Sequence, residues 1–153
     1  MLSTVAGVSA VVSAGLVAGA LLGDRVAASQ ARARLDAANF VTFMQTWHGY
    51  FVRFVGPLML IGLVAGGAWL VLAWPHGSGM QRALIAASIA GLVVVAGITA
   101  TVNVPINGQL MTWSPAAPPA DLAARWAPWE RAHTARALVA AAVLVLDAVA
   151  LSL

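Results

Sequence analysis

Four long apolar stretches alternate with polar connectors along this chain, at about residues 2–22, 54–74, 83–102 and 128–153. A helix needs about 20 residues to cross roughly 30 Å of hydrocarbon, and each stretch reaches that length. The first is uncharged from residue 1 to residue 23. It lacks the basic n-region and short apolar core of a secretory signal, so it reads as a retained helix. The second is closed by Pro75 and the third by Pro105. The fourth starts at Pro128, a residue suited to a first helical position. At 1.5 Å per residue it is about 39 Å long, enough to span and still project Glu130, His133 and Arg136 towards the interface. The pattern predicts a single domain, residues 1–153, folded as an all-α integral membrane four-helix bundle.

The connectors differ in character. Residues 24–36 read as a helical extension or amphipathic link, leading into 37–53, where Asn39, Gln45 and His48 recur among apolar positions. Residues 75–79 form a tight Pro-Gly turn. The link at 114–119 is proline-rich, after which Asp121 has N-cap character for a short helix carrying Trp126. Small residues let helices approach in lipid. Gly15-x-x-x-Gly19-x-x-x-Gly23 and Gly62-x-x-x-Gly66 therefore read as contacts within the bundle or as a seam for a homo-oligomer.

Composition agrees with lipid as the main solvent. Apolar residues make up 61% of the chain and charged residues 8%, against about 45–50% and about 25% in soluble domains. The absence of cysteine excludes disulfides, thiolate metal sites and cysteine nucleophiles, and the absence of lysine excludes Schiff-base chemistry. The basic residues are all arginine, and the resulting sequence pI of about 11.2 reads as topology rather than nucleic-acid binding. Arg25, Arg32, Arg34, Arg53, Arg125, Arg131 and Arg136 flank the first and third connectors, whereas the second holds only Arg82. The positive-inside rule therefore places connectors one and three in the cytoplasm and both termini outside.

An even number of spans brings those two connectors to one end, and with them His48, Asn103, Asn107, Glu130 and His133. Ionisable groups at membrane depth are costly and are functional candidates by default. Glu130 and His133, three apart, share a helix face, and His48 arrives from another helix. Two histidines and a carboxylate can bind non-haem iron or copper, can act as base, or can be structural, with Glu130 serving a helix N-terminus. Asn103 and Asn107 flank Pro105, where they either cap the broken helix or orient a substrate oxygen. Trp47, Trp113, Trp126 and Trp129 gather at the same end as an interfacial belt or a lining for a flat ligand, while Trp69 and Trp74 suit the far interface. His76 and Asp147 lie away from this cluster. No phosphate-cradling loop, nucleophile elbow or nucleic-acid module is present.

The run Asn103-Val104-Pro105-Ile106-Asn107-Gly108-Gln109-Leu110, then Trp113, then Trp129-Glu130-Arg131-Ala132-His133 with Arg136, resembles the C-terminal half of the anthrone oxygenase-like membrane family. His48, before the second span, anchors the weaker likeness of the first half. The resemblance implies four membrane helices, a bacterial-type inner membrane, and an oxygenase using O2 on a lipophilic aromatic or phenolic molecule. Characterised fungal members oxidise the activated methylene of an anthrone to a quinone carbonyl. It carries over His48, Glu130 and His133 as catalytic or metal-binding residues and Asn103, Asn107 and Arg136 at the substrate, where Trp113 and Trp129 would line the pocket. The cofactor is left as non-haem copper or iron, or none if O2 meets a deprotonated substrate. Two other readings stand beside it: a haem or redox bundle with His48 and His133 as axial ligands, and a non-catalytic membrane partner protein.

Overall fold

A computed structural model describes all residues, Met1–Leu153. Four helices are long and apolar enough to cross a membrane: α1 Leu2–Arg32, α2 Ala37–Ala73, α3 Gly79–Leu110 and α4 Leu122–Leu151. Each neighbours the next, and α4 closes the ring on α1; the α2–α3 seam is the least extensive. The protein is an all-α four-helix membrane bundle.

All four helices outrun the hydrocarbon thickness. The polar stretch after the first span continues α1 to Arg32, and the segment before the second span is the opening of one 37-residue helix. Asp36 starts α2: its carboxylate accepts from the Asn39 backbone N–H and side-chain amide, both at 2.8 Å. These bonds hold the exposed Asp36 carboxyl below its ordinary range.

Two expected breaks are absent. Pro105 does not end α3, which runs on to Leu110, and Pro128 lies inside α4 rather than at its start. No separate short helix precedes α4, and Asp121 does not cap it by a side-chain bond but pairs with Arg125 at 2.7 Å. Just before Pro105, α3 widens into a π turn, Thr99–Asn103, in which the Val104 N–H reaches the Thr99 carbonyl. The missing N–H of Pro105 is absorbed where the bond pattern has already shifted. A second π turn, Asp24–Ala28, lies in α1, with the Ser29 N–H on the Asp24 carbonyl.

The half containing both termini packs through small residues. A Cβ at Gly7 would meet Trp69, one at Gly62 would meet Ser13 and Leu92, one at Gly66 would meet Ile89, and one at Gly91 would meet Val143. Trp69, only 1% exposed, is therefore core rather than interfacial belt. Trp74 is exposed, with the Arg82 guanidinium 5.2 Å from its ring centre. Gly62 and Gly66 act within the bundle, whereas Gly19 and Gly23 face open space. Asp147 is buried in this half beside Ser88 of α3.

Loose carbonyls at the helix ends are tied across the bundle. Gln45 donates to the carbonyls of Leu110 and Trp113, both at 2.9 Å, and Gln81 donates to that of Ala150 at 2.9 Å. Such bonds answer the orphan acceptors of a last helical turn.

Candidate functional site

At the connector end α1 and α4 meet through charge. Arg32 of α1 is 2% exposed and grips the Asp24 carboxylate with two nitrogens, at 2.9 and 3.0 Å. The same guanidinium contacts Glu130 Oε1 through Nε at 3.0 Å and NH2 at 2.9 Å. Glu130 also accepts from Trp126 Nε1 and from the Ser29 hydroxyl, both at 3.1 Å. Asp24 and Arg32 are eight residues apart, two helical turns, and the long arginine side chain closes the gap.

His133 is fully buried. Its Nδ1 lies 2.9 Å from Arg136 NH2, and a guanidinium can only donate, so Nδ1 carries the lone pair. The ring hydrogen then sits on Nε2, which is 2.9 Å from Asp24 Oδ2. That contact is short but off the line of a straight hydrogen bond, and Nε2 has no other partner. Arg136 is tied a second time by NH1 to the Thr99 hydroxyl at 2.9 Å.

Trp129 is the hub of this end. It stacks on His133 with ring centres 4.8 Å apart and on Trp126 at 4.5 Å. Arg32 lies 5.3 Å from its ring centre on α1. Its indole N–H donates to Asn107 Oδ1 at 2.8 Å, and its carbonyl accepts from Asn103 Nδ2 at 3.3 Å. The two asparagines beside Pro105 thus cap nothing: they hold the tryptophan.

Against this wall lies a cavity of about 410 Å³. Aromatic and sulfur-bearing side chains dominate it, among them Met44, Trp47, Phe51, Met59 and Trp129; its polar groups are Asp24, His48, Thr99, Asn107 and Arg136. The outer lining, Val52, Gly56, Val104, Gly108 and Met111, comes from α2 and α3 and is exposed, so the mouth opens along the weakest helix seam. The His48 ring is half-buried and has no hydrogen-bond or charge partner from the protein.

Four of the residues expected at the site therefore share this cavity: His48, Asn107, Trp129 and Arg136. Glu130 and His133 stand behind its wall, Asn103 braces Trp129, and Trp113 does not line the cavity but is buried in the cluster behind it with Phe40, Met44, Leu110 and Trp129. His48, Glu130 and His133 do not assemble as a ligand set, and no three acidic, histidine or cysteine side chains do so elsewhere. The surroundings argue against one, since Arg32, Trp126 and Ser29 already donate to the Glu130 carboxylate, and His133 accepts at Nδ1 from Arg136 while its buried Nε2 faces Asp24. His133 is also fully buried behind the cavity wall, so it does not face His48 across a space for haem.

Sequence reading missed Asp24, Arg32 and Thr99. The signal available for two of them was the acid–arginine pair, Asp24 and Arg32, on one face of the helical extension at 24–36. Thr99 had none, lying in an apolar run.

The sequence model of the anthrone oxygenase family matches residues 43–146, and the chain belongs to that family. No curated protein matches the chain. No solved structure matches it either. The match takes in His48, Thr99, Asn107, Trp129 and Arg136, while Asp24 and Arg32 precede it.

Proposed function

We propose that this protein is a membrane oxygenase acting with O2 on a flat, lipophilic aromatic or phenolic molecule of the anthrone type. The observation that carries the reading is the cavity, with stacked aromatic walls, an unpartnered His48 ring and the Arg136 guanidinium on one surface. Largely apolar pockets with a few placed polar groups are the usual form of a small-molecule site. Family membership supports the oxygen chemistry.

His48 takes a proton from the methylene held between two aryl rings, leaving an anion delocalised onto the ring oxygen. Dioxygen then adds to that carbon: a C–O bond forms, and the protonated imidazole returns its proton to the outer oxygen. Loss of the second methylene proton with cleavage of the O–O bond gives the carbonyl and one water. The methylene is oxidised by four electrons and O2 is fully reduced, one atom into product and one into water. Each step uses groups on the cavity wall, and none is routed through a metal. Asn107 and Trp129 orient the rings.

Substrate enters from the bilayer between α2 and α3, where the mouth is apolar. The arginine distribution supports a cytoplasmic connector end.

The test is oxygen uptake by the purified protein in lipid nanodiscs supplied with anthrone. One O2 consumed per quinone formed is expected, with a loss of about 10²–10⁴-fold in His48→Ala, the usual range for a general base. Uptake no faster than the uncatalysed reaction, or an unimpaired His48→Ala protein, overturns the proposal.

A further inference from the structure

Arg136 is buried, only 6% exposed, and makes none of the protein's ion pairs. Its two fixed partners, the Thr99 hydroxyl and the His133 ring, are uncharged in the arrangement found. Its Nε has no partner at all. A buried donor left open costs about 1–3 kcal/mol, and an unpaired buried charge costs more. Asp24, the nearest carboxylate, stands on the other side of the His133 ring and is already gripped by Arg32.

Charge counting points the same way. One connected network of hydrogen bonds and ion pairs holds Arg25, Arg32 and Arg136 against Asp24 and Glu130. Three positive charges minus two negative leave one positive, and Arg136 is the member on the cavity wall without a carboxylate. The cation is also held still: NH1 is fixed by Thr99 of α3 and NH2 by His133, whose buried ring lies between Arg136 and Asp24. Such a fixed, desolvated guanidinium is an oxyanion receptor.

We propose that the cavity binds its ligand as the oxyanion, a phenolate or the enolate left when His48 takes the methylene proton, whose negative oxygen lies on Arg136, with Asp24 and His133 as positioning residues that aim the guanidinium. The bound anion brings the network to neutrality. A neutral hydrocarbon or quinone of the same shape leaves the arginine unpaired and binds weakly. The ligand's flat shape comes from the oxygenase reading; its charge comes from Arg136 alone.

The probe is a peri-dihydroxyanthraquinone, which has no reactive methylene and reddens on ionising, with its dimethyl ether as the control that cannot ionise. The groups facing it are His48 from α2, Asp24 from α1 and Arg136 from α4, with Arg32, Glu130 and His133 one layer behind; α3 contributes no ionisable group. The dye bound to wild-type protein is expected to ionise about 1–3 pH units below the free dye, as for an acid beside an arginine. The ether should bind at least about tenfold more weakly. In Arg136→Gln the ionisation shift and the preference over the ether both vanish, while Arg136→Lys retains part of each.

A wild-type dye that binds as the neutral phenol, or does not bind, overturns the proposal, and this measurement needs no variant to fold. A shift that survives in a folded Arg136→Gln protein overturns it too. Oxygen uptake is scored separately. Anion binding without turnover would sink only the oxygenase reading, and turnover with neutral binding would sink only this one.

Discussion

At the end that holds both termini the four helices meet through glycine, alanine and serine, with a large side chain filling each gap. At the connector end α1 and α4 meet through Arg32, Asp24, Glu130 and a stacked Trp126–Trp129–His133 column, while α2 and α3 part to leave a cavity. Lipid offers little hydrophobic drive for helix association, so the first end relies on close fit. The second gives up close fit, and its polar groups satisfy one another instead. Both π turns lie in this second half, and each carries a residue that lines the cavity, Asp24 and Thr99. A widened turn re-aims the side chains that follow it, a common device at functional sites.

The contrast breaks most sharply at Arg32. Arg32→Met strips the counter-charge from a fully buried Asp24 and from Glu130, and a loss of about 3–5 kcal/mol is expected in thermal unfolding in a fixed detergent. Replacing Asp24 by Leu in the same chain should return much of that loss, because the stranded charge leaves with its partner. Equal stability of Arg32→Met and wild type would mean the network contributes nothing to the fold.

At the other end the prediction concerns fit. Gly91→Leu would drive a side chain into Val143, a Cβ alone meeting that valine at 2.5 Å, and should cost about 1–3 kcal/mol. Gly19→Leu, with nothing within 4 Å, should leave the unfolding of a monomer unchanged. If Gly19→Leu instead lowers the mass measured by light scattering, the exposed glycine face is a seam between copies of this chain.

The smallest effect belongs to the exposed start of α2. The Asn39 backbone N–H, and then its side-chain amide, hold the Asp36 carboxyl below its ordinary value of 3.8. A depressed carboxyl stabilises the fold above its unfolded value and loses that contribution as pH falls through the lower folded one. Wild type should therefore exceed Asp36→Ala in stability from about pH 4 upward, with the difference fading in stronger acid. A difference that grows on acidification would contradict the cap.

Much of the architecture was legible along the chain. Apolar length and spacing are local properties, so four spans and the gathering of His48 with Arg136 at one polar end follow from residues read in order. Helix boundaries were less legible. Pro105 and Pro128 announce breaks, yet tertiary packing and a π turn carry the helices through them. Which polar residues face the cavity was legible only in part: His48, Asn107 and Arg136 were expected there, but so were Glu130 and His133, and Asp24 and Thr99 were not. Arg32 and Glu130 lie 98 residues apart, Ser29 and Glu130 lie 101 apart, and nothing in either segment names its partner. The sequence by itself determined that lipid surrounds a four-helix bundle with one polar end, because hydrophobic length is set residue by residue. Only the tertiary structure decided that Glu130 and His133 serve the wall while His48 and Arg136 face the cavity, because helix rotation and long-range pairing are properties of the packed bundle.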